Sequence, residues 1–421
     1  MEKHHVFHGR WWAPDGVRRF KDVACMGTLI IEEDGSSKLE IYHDQRNSAI
    51  FQVYEKYDVI WGETADGRKI SVFGLEMLEE NKYFQASFKA HAVIAGVHLK
   101  TGHINSFKTC VVLFPYLRNW AFVPKVKKTE LKKDVHDFVV DFRKDNHILA
   151  TAQIDENTEL HIYRHIEYKY DQYDTSITQS TYLSFTTTTL SSPNFFVDCI
   201  TEYSQFLSLA LFSKQEPAEI WLRKDDKSPY CQLFYKVDKS VNPNNFSLIP
   251  FNKFQEKIPE ILTTWHRIYP QISQICHYLL SSINYDEFDV PDFLIVAQAL
   301  DGYHKRFLNK KNGKDIRKYE DEINAMLNQF DDVASVRKCH IDCQMMADTR
   351  HKYSHLIPDE EDEGKKIAIG DELFRLTQKA KILLSCCLLD LLGFSHSDID
   401  VCFASSSLKF LIDRIDFEES D

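Results

Sequence analysis

The spacing of apolar residues changes near residue 251, and this change constrains the fold more than any other feature of the sequence. Before it, short runs of β-forming residues at 26–32 and 38–42, and again at 59–62 and 69–73, flank the dipeptides Asp34-Gly35 and Asp66-Gly67. An Asp-Gly pair between two such runs is typical of a β-hairpin. After it, apolar residues recur every three or four positions, as in amphipathic helices. We therefore predict an α+β multidomain protein, in which a β-rich N-terminal region precedes an all-α helical bundle.

The chain of 421 residues is too long for one ordinary hydrophobic core. We predict a β-rich domain over residues 1–122, a second β-rich or α+β region over residues 134–245, and a helical domain over residues 251–421. The lysine-rich segment 125–133 is interpreted as a solvated connector. In the second region we expect a strand at 182–190, a helix at 192–212 and two short strands at 219–222 and 231–237.

The helical domain is predicted to begin with a helix from residue 251 that Pro270 kinks or ends. Further helices are expected from Pro291 to Leu308, over residues 315–330, from Asp332 to about Tyr353, and over residues 371–392, where Gly393 ends the last one. Residues 398–421 are interpreted as a short tail.

The composition excludes several classes of protein. The sequence has no run of about 18 apolar residues, so we expect no membrane span. Residues 1–10 lack the apolar stretch of a signal peptide, and the expected location is the cytoplasm. The 10 cysteines are scattered or lie on apolar helical stretches, so most are predicted to be buried thiols.

The formal net charge of −12 gives no general attraction to nucleic acid. An RNA-handling protein of this composition needs a local basic patch. The densest basic run follows the predicted helix from Pro291, and it comprises Lys305, Arg306, Lys310, Lys311, Lys314, Arg317 and Lys318. The run fits an RNA-binding patch and, equally, a solvated connection between two helices.

Polar residues crowd the end of the helix predicted from Asp332, in the motif Arg350-His-Lys-Tyr-Ser-His355. Arg350 and His355 are five positions apart, about 140° around an ideal helix, and share a face only if the helix end unwinds. His351 and His355, four apart, share one face.

Three interpretations of this motif compete. The first is a solvated helix end whose cations oppose the macrodipole. The second is a metal site on the His351 and His355 pair, but it lacks the glutamate of His-Glu-x-x-His and has no obvious third ligand. Cys339, His340 and Cys343 lie earlier on the same predicted helix and are better explained as packed thiols and a surface histidine.

The third interpretation is a phosphodiesterase site. Metal-free cleavage of RNA needs a base for the 2′-hydroxyl, an acid for the 5′-oxygen and a cation for the phosphorane. Histidine titrates in the range that such proton transfers require, and arginine offers a charged fork of donors to phosphate oxygens. One histidine does not readily serve on both sides of one phosphate, so two copies of the motif meeting across a dimer would divide the task.

The motif Arg350-His-Lys-Tyr-Ser-His355 is similar to the R-x4-6-H signature of HEPN domains. Gln298-Ala-Leu-Asp-Gly-Tyr-His304 resembles the upstream helix of ApeA-type HEPN domains, in which an acidic residue occupies the position of Asp301. The N-terminal half resembles the ApeA N-terminal domain in Gly9-Arg-Trp-Trp-Ala-Pro-Asp15, Gly27-Thr-Leu29 and Ile60-Trp-Gly-Glu-Thr-Ala-Asp-Gly67. Two departures are Asp301, where glutamate is commoner, and His351, where asparagine is frequent.

This resemblance implies a dimeric, metal-independent ribonuclease of bacterial anti-phage, abortive-infection defence, with no cofactor. Arg350 would contact the scissile phosphate, His355 would act as general acid or base, Asp301 would orient one of them, and His351 would complete the catalytic set. Substrate contacts are expected from Lys305, Arg306, Lys352, Tyr353 and Ser354, and His304 is a lesser candidate.

The β-rich region would sense a phage-derived trigger or restrain the nuclease. The main alternative is a non-catalytic HEPN-like protein, in which the helical bundle only binds RNA or a partner. Neither the RNA that is cut nor the trigger follows from the sequence.

Overall fold

The computed structural model describes residues 5–14, 24–42, 56–81, 85–99, 106–122, 147–170, 175–243, 246–283, 289–309, 318–358, 364–410 and 412–413. The chain divides into two compact units. The first consists of Met1–Arg118, Lys144–Thr201 and Glu216–Ser240, and the second of Asn119–Arg143, Glu202–Gln215 and Val241–Asp421.

The first unit contains an antiparallel sheet to which thirteen described strands contribute. The strands are β1 (His5–Trp12), β2 (Cys25–Ile31), β3 (Ser37–Tyr42), β4 (Lys56–Thr64), β5 (Lys69–Asn81), β6 (Gln85–Ala90), β7 (Ala92–Ala95), β8 (Phe107–Leu113), β9 (His147–Gln153), β10 (Thr158–Tyr170), β11 (Thr175–Ser191), β12 (Glu219–Arg223) and β13 (Cys231–Tyr235). Their order is β4-β1-β2-β3-β6-β5-β7-β13-β12-β8-β11-β10-β9, with a further pairing of β4 to β5.

The two hairpins predicted from Asp-Gly pairs are confirmed. Strands β2 and β3 pair across Asp34-Gly35, where Gly35 has φ 76° and the backbone N–H of Ser36 donates to Asp34 Oδ1 at 2.9 Å. Strands β4 and β5 pair across Asp66-Gly67, where Gly67 has φ 78°. Glycine is favoured at both positions because a left-handed backbone carries no Cβ penalty there.

The additional β4–β5 pairing closes six strands, β1 to β6, into a ring around a hydrophobic core. Trp11 is fully buried in that core. It lies opposite Gly62 in the β1–β4 register, and a Cβ added to Gly62 would come within 2.2 Å of the Trp11 ring. The Gly9-Arg-Trp-Trp and Ile60-Trp-Gly segments of the sequence thus meet in one tightly packed place, because only glycine leaves room for the indole.

Strands from both predicted β-rich regions belong to this one sheet, since β8 pairs with β11 and with β12. The segment expected to form a strand at 182–190 lies inside β11. The domain edges at 122, 134, 245 and 251 remain predictions.

The described helices are α1 (Leu117–Trp120), α2 (Pro193–Leu211), α3 (Phe251–Phe254), α4 (Ile258–Ile283), α5 (Val290–Tyr303), α6 (Tyr319–Gln329), α7 (Ala334–Arg337), α8 (Cys343–His355), α9 (Gly370–Leu391) and α10 (His396–Ser405). Helix α5 continues into a π-helical segment, His304–Leu308. Residues 380–389 of α9 are all buried, and α9 contacts α4, α5, α6, α7 and α10. A helix that is buried on every side is the central element of its bundle. The predicted fold class is confirmed.

Three expectations for the helical part were wrong or incomplete. Pro270 does not end the first long helix, because α4 runs through it. The helix predicted from Asp332 to Tyr353 is two helices, α7 and α8, separated at His340, which has φ 41°. The predicted tail contains most of α10, whose N-terminus is closed by a capping box between Ser395 and Asp398.

Nine of the ten cysteines are buried and Cys343 is half-buried; all are free thiols, as predicted. None of the helices in the described part of the chain combines the length and apolar character that a membrane crossing requires.

Candidate active site

Helix α8 carries the Arg350-to-His355 motif, and its two ends are fixed locally. At its start the Asp342 carboxylate accepts a hydrogen bond from the backbone N–H of Met345 at 3.0 Å, which caps the helix. At its end Leu356 has the left-handed φ of 52°, and the backbone N–H of Ile357 donates to Lys352 O at 3.0 Å. The motif therefore occupies the last two turns of a well-terminated helix.

Arg350 is held by side chains from two other helices. Its Nη2 lies 3.5 Å from Asp301 Oδ2 on α5, and its guanidinium carbon lies 4.5 Å from the centre of the Tyr319 ring on α6. The Tyr319 hydroxyl donates to Ala297 O at 3.0 Å, which fixes the ring against α5. A cation over an aromatic face is attracted by the ring quadrupole. The side chain of Arg350 keeps 29% of its surface exposed, so the guanidinium is oriented but accessible.

Asp301 is the anionic centre of this cluster. Its side chain is 6% exposed, and Lys305 Nζ lies 2.7 Å from Oδ1 and 2.9 Å from Oδ2. Gln298 Nε2 adds a longer contact of 3.4 Å to Oδ2. Burial raises the pKa of Asp301, but the hydrogen bonds with Lys305 and Glu322 and the charge of Arg350 outweigh it and leave the pKa below its ordinary value. Asp301 therefore remains an anion and holds both cations.

Two further buried groups border Asp301. Glu322 on α6 is 2% exposed, and its burial, followed by a hydrogen bond with Asp301, raises its pKa to about 8. His304 is completely buried, its Nδ1 lies 3.9 Å from Glu322 Oε1, and burial lowers its pKa. Glu322 and Tyr319 were missed by sequence reasoning. In the sequence, these two residues are marked only by being three positions apart on one predicted helix. That spacing does not show which of the acids in Tyr319-Glu-Asp-Glu322 is buried.

The histidines of the motif face outward. His351 and His355 are exposed, and their ring centres are 4.8 Å apart with planes at 61°. In the described part of the chain, no hydrogen bond or ring contact joins Arg350 to either histidine. The structure thus groups Arg350 with Asp301 and Lys305, and His351 with His355, at the same end of α8.

The remaining residues predicted to contact substrate differ in availability. Ser354 is exposed and Lys352 is half-buried, whereas the Tyr353 hydroxyl donates to Ala368 O at 3.4 Å. Lys305 is held by Asp301, and Arg306 donates to the backbone carbonyl of Gln271 on α4. Lys318 is exposed just before α6. The other members of the basic run, Lys310, Lys311, Lys314 and Arg317, lie outside the described residues.

The described part of this site has no evident set of metal ligands. Among the residues that the structure describes, no group of three or more His, Cys, Asp or Glu side chains is arranged to hold an ion. Cys339 and His340, predicted to lie on the same helix as Cys343, lie instead in the break between α7 and α8. Chemically, the site offers an oriented guanidinium that can meet an anion and two exposed imidazoles that can exchange protons.

Two family models match the chain. The model described as ApeA N-terminal domain 1 matches residues 6–265, and the model described as Apea-like HEPN matches residues 294–398. Together they define a HEPN-containing protein with a β-rich N-terminal region. Because the first match alone spans more than half of the sequence, the chain belongs to the ApeA family. Among curated proteins, no match to the chain is found.

Proposed function

We propose that this protein is a metal-independent RNA endonuclease that acts in bacterial anti-phage defence by abortive infection. The observation that carries the proposal is the state of Arg350, a guanidinium oriented by Asp301 and Tyr319 yet 29% exposed, at the helix end that also presents His351 and His355. Membership of the ApeA family, with its HEPN domain, supports the same conclusion.

The reaction is a transesterification within the RNA chain. A histidine takes the proton of the ribose 2′-hydroxyl, the 2′-oxygen attacks phosphorus, and the bond to the 5′-oxygen breaks as a second histidine donates a proton to it. Arg350 binds the nonbridging oxygens, whose negative charge grows in the transition state. The products are a 2′,3′-cyclic phosphate and a 5′-hydroxyl.

The two proton transfers occur on opposite sides of the phosphorus atom. His351 and His355 lie side by side on one helix face, so a single pair reaches one side of the phosphate more readily than both. A homodimer in which two protomers bring their motifs to one phosphodiester supplies both sides. The β-rich unit would detect a phage-derived trigger or restrain the nuclease in the cytoplasm until infection.

The decisive experiment compares Arg350→Ala and His355→Ala with matched controls. Arg337→Ala and His277→Ala remove an exposed arginine and an exposed histidine elsewhere in the same unit. We expect cleavage of RNA to fall by about 10²–10³-fold in Arg350→Ala and about 10²–10⁴-fold in His355→Ala, with folding and RNA binding retained. The controls should keep wild-type activity.

Two further measurements fix the chemistry. A chelator should leave the rate unchanged, and end analysis should find 2′,3′-cyclic phosphates. A wild-type protein that binds RNA without cutting it would support the non-catalytic alternative instead.

A further inference from the structure

Glu322 and His304 form a buried polar pair behind Asp301. Both are almost fully buried, at 2% and 0% exposure. Glu322 Oε2 and both ring nitrogens of His304 have no hydrogen-bond partner in the described part of the chain. Buried polar atoms without partners are costly. The pair therefore calls for an explanation beyond packing.

The charged and titratable groups around Glu322 come from four elements. Helix α5 supplies Asp301, and the π-helical segment after it supplies His304 and Lys305. Helix α8 supplies Arg350, and α6 itself supplies Tyr319. With Glu322 and His304 neutral, two cations face one anion, and the cluster has a formal charge of +1. When Glu322 ionises, two anions face two cations, and the positive charge that attracts a phosphate is lost.

We infer that Glu322 is a positioning residue whose protonated carboxyl, hydrogen-bonded to Asp301, leaves Arg350 free to bind an RNA phosphate. This inference rests on the proposed function and adds its regulation by pH. In the protonated form Glu322 contributes no charge, and the ionised carboxylate that faces the guanidinium is that of Asp301. In the ionised form a second buried carboxylate competes with the phosphate for Arg350. His304, neutral and buried beside it, supplies no compensating charge.

The direction of the pH effect follows from burial. The pKa of Glu322 is raised to about 8, and that of Asp301 is lowered, so the pair holds one proton at neutral pH. As pH rises through about 8, Glu322 loses this proton and the activity should decline. The pKa of His304 is lowered, so the imidazole stays neutral throughout this range.

The test measures kcat/KM of wild type and Glu322→Gln from pH 6 to 9.5. Glutamine mimics the protonated carboxyl permanently. At pH 6.5 the two proteins should agree within about threefold, and at pH 9 the variant should exceed wild type about tenfold, because roughly one-tenth of wild-type Glu322 remains protonated one unit above its pKa. The ratio cancels every titration common to both proteins. Asp321→Asn, which likewise replaces a carboxyl with an amide but at an exposed neighbour, should track wild type at each pH.

A ratio that does not change with pH, in an active enzyme, would overturn the role of Glu322 alone. Wild-type protein without any cleavage of RNA would overturn the proposed function and this inference together. The protonation of Glu322 can be measured independently of RNA cleavage, by carboxyl ¹³C NMR of wild-type protein labelled at its glutamates. One glutamate should titrate near pH 8, and the absence of such a signal would refute the protonated carboxyl even if Glu322→Gln fails to fold.

Discussion

Arg350 is constrained by two contacts of different kinds. The Asp301 carboxylate on α5 forms an ion pair with the guanidinium, and the Tyr319 ring on α6 packs against the flat face of the guanidinium. A long side chain loses much rotamer freedom when it is held in one place. The two contacts already hold the Arg350 side chain in the folded protein, so this entropy is lost before substrate binds. The guanidinium is therefore preorganised.

We predict a measurable coupling between Asp301 and Arg350. In a double-mutant cycle with Asp301→Asn and Arg350→Gln, the interaction should contribute about 1–2 kcal/mol to the free energy of unfolding, since the carboxylate is buried. Urea unfolding of the four proteins measures it. The control cycle uses Lys56 and Glu76, an ion pair of 2.9 Å at the surface, whose coupling should be smaller although the pair is closer. Equal couplings in the two cycles would show that Asp301 does not hold Arg350.

Sequence reasoning selected Arg350, His355 and Asp301 through a resemblance to a known motif, and the structure brings Asp301 to Arg350. It missed Tyr319 and Glu322 for a physical reason. Three acids occupy the first turn of α6, and each suits the positive end of the helix dipole. Which of them is buried depends on how α6 packs on α5 and α8, and this packing is not encoded in the local pattern.

At the scale of elements, α8 depends on its start as much as on the motif at its end. From the sequence we predict a single helix from Asp332 to about Tyr353. Asp342 ends that continuity, because its side chain caps a new helix while His340 takes a left-handed backbone. Only the second helix therefore determines the direction of Arg350.

Removal of this cap should weaken α8. Asp342→Ala should lower the free energy of unfolding by about 1 kcal/mol, because the N–H of Met345 loses its acceptor. Asp342→Asn keeps a capping oxygen and removes only the ion pair with the exposed Lys366, so it should stay close to wild type. Thermal unfolding compares them. Equal losses in the two variants would assign the effect to the ion pair.

Elements with strong local signals were predicted well. The Asp-Gly hairpins, α5 after Pro291 and α9 before Gly393 lie within a few residues of their predicted positions. The π-helical segment His304–Leu308 had no signal, because its sequence is compatible with an ordinary helix. Such wide turns persist where tertiary contacts stabilise them, and this one places His304 and Lys305 beside Asp301.

At the scale of the whole molecule, the net charge is −12, so the positive charge that binds an RNA phosphate must be concentrated at the site. In the proposed dimer, two motifs supply this charge to one phosphate. The proposal therefore predicts that one inactive protomer disables its partner.

Mixing wild-type protein with inactive protein measures how far an inactive protomer lowers the activity of its partner. After subunit exchange with an equal amount of Arg350→Ala/His355→Ala protein, a quarter of the dimers are wild type on both sides, and activity per wild-type chain should fall to about half. The same mixture assayed before exchange should show no loss. Undiminished activity after exchange, or light scattering that finds only fully active monomers, would contradict the shared site.

The closed ring of β1 to β6 has a consequence for the rest of the sheet. Since β4 is paired on both sides, β9 is the one described strand at an end of the sheet with a single partner, β10. No other described strand pairs with its outer edge, near which Ile148 is half-exposed. An edge strand of this kind is the place where an extended peptide from another molecule can add to a sheet.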